Sequence, residues 1–332
     1  MKILAFGDNL INPEMLNNGL KAFEDKGDEV VIRDWSHPTT AELQRDNLKV
    51  ELKGPNAIEV DDALLADIDQ FDLIVTQFTP IGKKIIDRAT NLKYIGVLRG
   101  GIENVDKEYA EAKNIKVMNT AGRNARAVAE FTVGLILAET RNIARTHAAM
   151  EQDIWLKDFP NKDDIPEIGG KTIGIAGLGY IGKLVGKFLK AMDANIIYYD
   201  KYVDSYEDFE KVDSLDNLIK RSDILTLHMR VTPETTHIID AAKLDDMKPN
   251  AYLINAARAE LIDEPALIKA LQEKKIMGAA LDTYMNEPLP VDSPFLKLKN
   301  VTLTSHLAGS TADAFRNTPK LFANHFLEKY SK

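Results

Sequence analysis

The chain has 332 residues, 45% of them hydrophobic, which is enough for two domains of ordinary size with sizeable cores. A net charge of −9 with no compensating basic block argues against nucleic acid as a partner, and no apolar run approaches the roughly 18 residues that span a bilayer. The absence of cysteine removes disulfides, thiolate catalysis and cysteine–zinc sites together, so no metal and a reducing cytoplasm are the simplest expectations.

The opening residues, Met1 to Asp8, resemble a first core strand rather than a signal peptide, which would need a longer apolar stretch and a small-residue cleavage site. Strand-like and helix-like segments then alternate: Lys2–Phe6, Pro13–Asp25, Glu29–Trp35, Thr40–Val50, Phe71–Gln77, Gly82–Ala89, Lys93–Arg99, Lys107–Asn114 and Ile115–Asn119. Such alternation predicts parallel strands with crossover helices, an α/β layered domain. Two loops after strands stand out, Gln77-Phe78-Thr79-Pro80 and the run from Leu98 to Asp106. Gly100 and Gly101 in the second either expose backbone N–H groups as a cradle for a carboxylate or serve a tight turn at positive φ. Spacing does not separate the two.

Asn124 to about Met150 reads as one long helix, apolar over more than one face (Val128, Phe131, Val133, Leu135, Ile136, Leu137, Ile143) and therefore packed between two surfaces. A polar, proline-containing connector, 158–170, follows. Then Lys171 to Asp200 gives a short apolar run, a glycine turn, an amphipathic run and a second apolar run. Gly177-Leu178-Gly179-Tyr180-Ile181-Gly182 is a G-x-G-x-x-G pattern between a predicted strand and helix. The first glycine permits the turn, the second admits a pyrophosphate, and the third lets helix pack on strand. The helix N-terminus offers free N–H groups to phosphate. Asp200 lies 18 positions after Gly182, where an acid binds a ribose 2′-hydroxyl and repels a 2′-phosphate. The pattern predicts an NAD site, with the neighbouring Lys201 tempering the preference over NADP.

Further strands are predicted at Ile224–His228, Ala251–Asn255, Ile276–Asp282 and Val301–Thr304. Asp263 should cap a helix with Glu264 and Pro265 in its first turn. Thr311 to Tyr330 reads as a helix with a kink or break at Pro319, returning to the first domain. The expected organisation is a discontinuous substrate domain, 1–121 and 308–332, with an NAD-binding domain, 122–307, inserted into it.

A nicotinamide enzyme needs a proton-exchanging group and a cation for the substrate carboxylate. Arg258, Glu287 and His306 each follow a predicted strand, where ligands of open α/β sheets sit. Histidine titrates near neutrality, a carboxylate beside it stabilises imidazolium, and arginine is a fixed fork for carboxylates. Taken singly, each could be an ordinary solvated or structural residue. The histidines at 37, 147, 228, 237 and 325 have weaker claims, and His228, at a strand end, lacks a carboxylate partner in sequence.

With these motifs in this order, the chain resembles the D-isomer-specific 2-hydroxyacid dehydrogenases. The resemblance runs through 101–106 (GIENVD), 127–130 (AVAE), 177–182, 232–235 (TPET), 247–255 (MKPNAYLIN), 287–289 (EPL) and 305–311 (SHLAGST). It implies two Rossmann-like domains: a doubly wound parallel-sheet NAD-binding domain inserted into a flavodoxin-like substrate domain, with a cleft between them. It implies that Arg258 binds the substrate carboxylate and carbonyl, and that His306, partnered by Glu287, exchanges the proton. Gly100 and Gly101 would hold the carboxylate by their N–H groups, with Phe78 and Arg99 beside them. Gly177, Gly179, Tyr180, Ile181, Gly182, Asp200, His228, Ala256 and Ala308 would line the NAD site, Asp282 would bind the nicotinamide carboxamide, and Asn124 would lie near the cleft. A homodimer through the NAD-binding domains is also implied.

The chain departs from the family pattern at Ala259, Arg230 and Ser305, none of which removes a catalytic group. Arg99 stands where a small residue is common. It either contacts a second anionic group of a substrate such as a sugar-derived acid or pairs with a carboxylate such as Glu103. Selectivity is expected from Gln77 to Thr79, Arg99, Tyr284 and the neighbourhood of Trp155. The substrate is a small 2-oxo or 2-hydroxy acid of unspecified kind. A dinucleotide-sensing co-repressor of the same fold is the alternative from another class, and formate dehydrogenase ranks low because relatives with that activity carry glutamine where Glu287 stands.

Overall fold

In the computed structural model, which describes residues 1–330, the chain forms two compact units, Met1–Arg123 with Thr311–Lys332, and Asn124–Ser310. The first unit runs β1 (Lys2–Gly7), α1 (Pro13–Gly19), α2 (Lys21–Glu24), β2 (Glu29–Asp34), α3 (Thr40–Lys53), β3 (Leu73–Thr76), α4 (Lys83–Arg88), β4 (Tyr94–Val97), α5 (Lys107–Ala112) and β5 (Lys116–Asn119). Its five strands are all parallel in the order β2-β1-β3-β4-β5. Both faces are covered, as parallel sheets require: Leu4 and Phe6 point into one core, Ile3 and Ala5 into the other. The order reverses between β1 and β3, so the carboxyl ends of these two strands flank the topological switch point where such sheets take ligands.

The second unit runs α6 (Ala125–Thr140), α7 (Ile143–Met150), β6 (Thr172–Ala176), α8 (Tyr180–Lys190), β7 (Asn195–Tyr199), β8 (Glu210–Lys211), α9 (Leu215–Arg221), β9 (Ile224–Leu227), α10 (Ala241–Asp245), β10 (Tyr252–Asn255), α11 (Glu264–Gln272), β11 (Gly278–Leu281) and β12 (Val301–Leu303). The seven-stranded parallel sheet has the order β12-β11-β10-β9-β6-β7-β8, a doubly wound arrangement with its switch point between β6 and β9. Ile173 and Ile175 face one core, and Leu225 and Leu227 the other. The last helix, α12 (Ala312–Tyr330), belongs to the first unit, where Phe322 and Phe326 pack beside Phe23.

Three expectations change. The helix expected from Asn124 to Met150 is two helices, because Asn142 takes a left-handed conformation (φ 59°) between them. The buried Asn142 amide donates to Asn161, and Arg145 forks onto the buried Glu139 carboxylate at 2.6 and 2.8 Å. These contacts hold the break against the apolar periodicity that favours continuity. The helix expected over Pro13–Asp25 likewise divides at Leu20. Conversely, α12 runs through Pro319 without interruption. Asp263 caps α11, accepting from the Ala266 N–H at 3.1 Å.

Candidate active site

The glycine turn after β6 is built as its three positions demand. Gly177 has φ of 95°, and a side chain there would strike the His228 backbone at 2.9 Å. A side chain at Gly182 would meet the Gly177 carbonyl oxygen at 2.3 Å, so that glycine sets how closely α8 packs on β6. The space around Gly179 is open, and no side chain caps α8, leaving its first N–H groups available. Tyr180 is exposed and Ile181 half-buried. Asp200, at the end of β7, accepts from the Leu178 N–H at 2.7 Å and from the N–H groups of Tyr202 and Val203. It therefore ties the glycine turn to the neighbouring strand. An uncapped N-terminus behind an open glycine, with a carboxylate at the next strand end, fits a dinucleotide.

At the end of β9, His228 bonds the Thr226 hydroxyl at 3.0 Å. Burial pushes its pKa down to about 3, and the imidazole remains neutral. Ala256, just beyond β10, is buried.

β10, β11 and β12 are adjacent, so the residues that follow them emerge side by side. Arg258 is exposed, and its guanidinium donates only to the Ala257 carbonyl. Glu287 Oε2 lies 2.8 Å from His306 Nδ1, and its Oε1 accepts from the Tyr284 N–H at 3.0 Å. Burial pushes the Glu287 pKa up. The His306 and Tyr284 hydrogen bonds and the nearby charges of His306 and Arg258 outweigh that, holding the carboxyl below its usual range. The pair borders a depression of about 790 Å³ lined by Tyr284, Leu289, Leu303 and Leu307 among others.

His306 has φ of 56°, an unusual backbone for a side chain bearing Cβ, held by its neighbours. Asp282 accepts from the Thr304 hydroxyl at 2.6 Å, the Leu307 N–H at 2.9 Å and the Ala308 N–H at 2.9 Å. The Tyr284 hydroxyl donates to the Thr304 carbonyl at 2.7 Å. Asp282 is fully buried, and its carboxylate braces the His306 loop. Tyr284 bonds the same loop through its hydroxyl while its ring lines the depression. Neither contact has a sequence signature, because the partners come from a different strand end.

In the first unit, Gly100 and Gly101 do not take positive φ, which removes the tight-turn reason for them. Among the described residues no acceptor takes the N–H of Gly100, Gly101 or Ile102, and the space around Gly100 is open. Arg99 is paired within its own unit. It donates to Glu51 at 2.7 Å and Asn47 at 2.9 Å, both on α3, sits 3.4 Å from Glu103, and stacks its guanidinium 5.1 Å from the Phe78 ring centre. The pairing is chiefly with Glu51, 48 positions away, which local sequence could not reveal. Asn124, in the second unit, packs its amide against Gly309, and Trp155 stands exposed in the segment after α7. Among the described residues no His/Asp/Glu cluster is arranged to hold a metal, and no helix is long and apolar enough to cross a membrane.

Residues 133–308 match the family model described as the D-isomer specific 2-hydroxyacid dehydrogenase, NAD binding domain. A glyoxylate reductase of Thermofilum pendens is 40% identical over 272 residues, 80% of each chain. The chain belongs to the D-isomer specific 2-hydroxyacid dehydrogenase family. As a member it is an oxidoreductase acting on CH–OH groups with NAD(H) as cofactor. A D-3-phosphoglycerate dehydrogenase of Methanocaldococcus jannaschii is 41% identical over 285 residues, 83% of this chain but only 53% of that one. The chain thus spans about half the length of that relative. The crystal structure of a family dehydrogenase from Lactobacillus delbrueckii ssp. bulgaricus, in its NAD-complexed form, aligns with 100% of this chain and 97% of its own. Its TM-score is 0.77 at 25% identity.

Proposed function

We propose that this dehydrogenase reversibly reduces a 2-oxo acid to the D-2-hydroxy acid, with His306 as the acid and base. The 2.8 Å hydrogen bond between His306 Nδ1 and Glu287 carries the reading. It fixes the proton on Nδ1 toward the carboxylate and leaves Nε2 to exchange a proton with the substrate oxygen. Bound NADH supplies the hydride to the carbonyl carbon. Nε2 protonates the oxygen in the same direction, and Glu287 stabilises the imidazolium in the reverse one. Arg258, exposed and free of acidic partners among the described residues, takes the substrate carboxylate and polarises its carbonyl. In the first unit, the unpartnered N–H groups of Gly100 and Gly101 offer a cradle for a carboxylate. In this reading Met1–Arg123 and the last helix form the substrate domain, and Asn124–Ser310 the NAD-binding domain.

The protein acts as a homodimer through the NAD-binding unit, which carries exposed Ile143, Met150, Ile154 and Trp155, the last 75% accessible. Sedimentation at monomer mass across micromolar concentrations would remove that part. NADH oxidation with glyoxylate, hydroxypyruvate, pyruvate, branched 2-oxo acids and 2-oxo sugar acids tests the activity. A protein that binds NADH tightly but oxidises it with none of these would instead be a dinucleotide sensor.

A further inference from the structure

Glu287 and His306 come from different strand ends, 19 positions apart, and one residue is bonded on both sides of the pair. The backbone N–H of Tyr284 donates to Glu287 Oε1 at 3.0 Å, the carboxylate oxygen that His306 does not use. Its hydroxyl reaches the other strand end. It donates to the Thr304 carbonyl at 2.7 Å, lies 3.0 Å from the Leu281 carbonyl and accepts from the Thr304 N–H at 3.1 Å. A phenol has one hydrogen, and the shorter contact, to Thr304, takes it.

The Thr304 N–H also closes the ladder between β11 and β12 by donating to the Leu281 carbonyl at 3.0 Å, so the sheet ends properly without the hydroxyl. What the hydroxyl adds is a grip on the Thr304 carbonyl, which sets the direction of the chain into Ser305 and His306. That segment carries His306 at φ of 56°, a conformation that a residue with a Cβ keeps only when its surroundings impose it. Ser305, His306 and Leu307 are themselves exposed, so the constraint comes from the groups that hold the two ends of the segment. At one end these are Tyr284 and the Thr304 hydroxyl, which donates to Asp282 at 2.6 Å; at the other, the Leu307 and Ala308 N–H groups meet the same carboxylate. Tyr284 is anchored from behind: it is buried in the core of the second unit and meets the Phe295 ring edge-on, with centroids 6.4 Å apart. Its hydroxyl therefore stands at a height set by core packing.

We propose that Tyr284 is a positioning residue for the acid–base pair: its N–H orients Glu287, and its hydroxyl, together with the Thr304 side chain, orients His306, so that the two meet at 2.8 Å. The inference rests on the dehydrogenase reading, and every contact it uses lies within the second unit. Rate falls steeply when a proton-transfer group is displaced, about a hundredfold for about 1 Å.

The test separates positioning from scaffolding. Tyr284→Phe removes the hydroxyl and keeps the ring. With glyoxylate, or whichever 2-oxo acid the wild type reduces fastest, kcat should fall about 10- to 100-fold while KM and NADH affinity stay within about twofold. Thr304→Val, which cuts the tether to Asp282 and keeps the side-chain shape, should lower kcat in the same way but less. In a His306→Ala background, assayed at high enzyme concentration, Tyr284→Phe should change the residual kcat by less than about twofold, because no imidazole is left to orient. An unchanged kcat in Tyr284→Phe, a parallel loss of NADH affinity, or the same fold-loss with and without His306 overturns the proposal and leaves the dehydrogenase reading intact. Absence of NADH oxidation by the wild type with any 2-oxo acid overturns both. Should Tyr284→Phe fail to fold, Thr304→Val decides by the same measurements, an unchanged kcat again overturning the proposal.

Discussion

The carboxyl edges of the two sheets are both lined with polar side chains, but they are finished differently. At the edge of the seven-stranded sheet, the buried carboxylate of Asp282 and the half-buried carboxylate of Asp200 hold the loops beside them, and Glu287 is matched to His306. At the edge of the five-stranded sheet, Asp8, Gln77 and Arg123 retain unpartnered atoms. The first edge is preorganised for chemistry that does not vary, which keeps reorganisation out of the reaction step. The second edge keeps buried polar atoms without partners among the described residues.

The largest expected effect tests the finished edge. His306→Ala should lower kcat about a hundred- to ten-thousand-fold while leaving NADH affinity nearly unchanged; equal loss of both would mean that His306 is part of the scaffold. Next, Glu139→Ala would strip the half-buried Arg145 of its only carboxylate among the described residues, leaving carbonyl and amide acceptors, and should cost about 3 kcal/mol in denaturant unfolding. A loss below 1 kcal/mol would show that the helix break at Asn142 does not depend on this pair.

Asp8 probes the unfinished edge by pH. Burial raises its pKa from 3.8 to about 6 against the pull of two backbone hydrogen bonds. The folded state therefore holds the proton more tightly, and stability falls as pH rises from about 4 through about 6. Asp8→Asn should flatten that slope and stabilise the ligand-free protein above pH 6 by up to about 3 kcal/mol. A slope identical to the wild type would show that Asp8 ionises without penalty. The smallest effect concerns the glycine turn. Asp200→Ala should weaken NADH binding by about tenfold or more and narrow the preference over NADPH, as measured by titration of protein fluorescence.

Local pattern accounts for much of this molecule. Short continuous apolar runs mark the buried strands, and Gly177, Gly179 and Gly182 carry their roles in their spacing, because each role is set by backbone within a few residues. The pairing of Glu287 with His306 was legible through resemblance and lies 2.8 Å apart in the fold. What local pattern hides is which polar groups find partners. Arg99 and Arg123 look alike in sequence, yet Arg99 meets Glu51 from α3 while Arg123 meets a phenylalanine ring. The enclosure of Asp282 by neighbours from the following strand is likewise absent from its own segment. The break at Asn142 is likewise invisible to helical periodicity, since a buried amide and an ion pair override it.

The Asp282 brace carries a consequence for hydrogen exchange. The amides of Leu307 and Ala308 belong to an irregular loop, where exchange is ordinarily fast. Both are bonded to a fully buried carboxylate, so their protons can leave only when Asp282 loses its enclosure. They should therefore exchange as slowly as the strands beside them, a clock on the segment that carries His306.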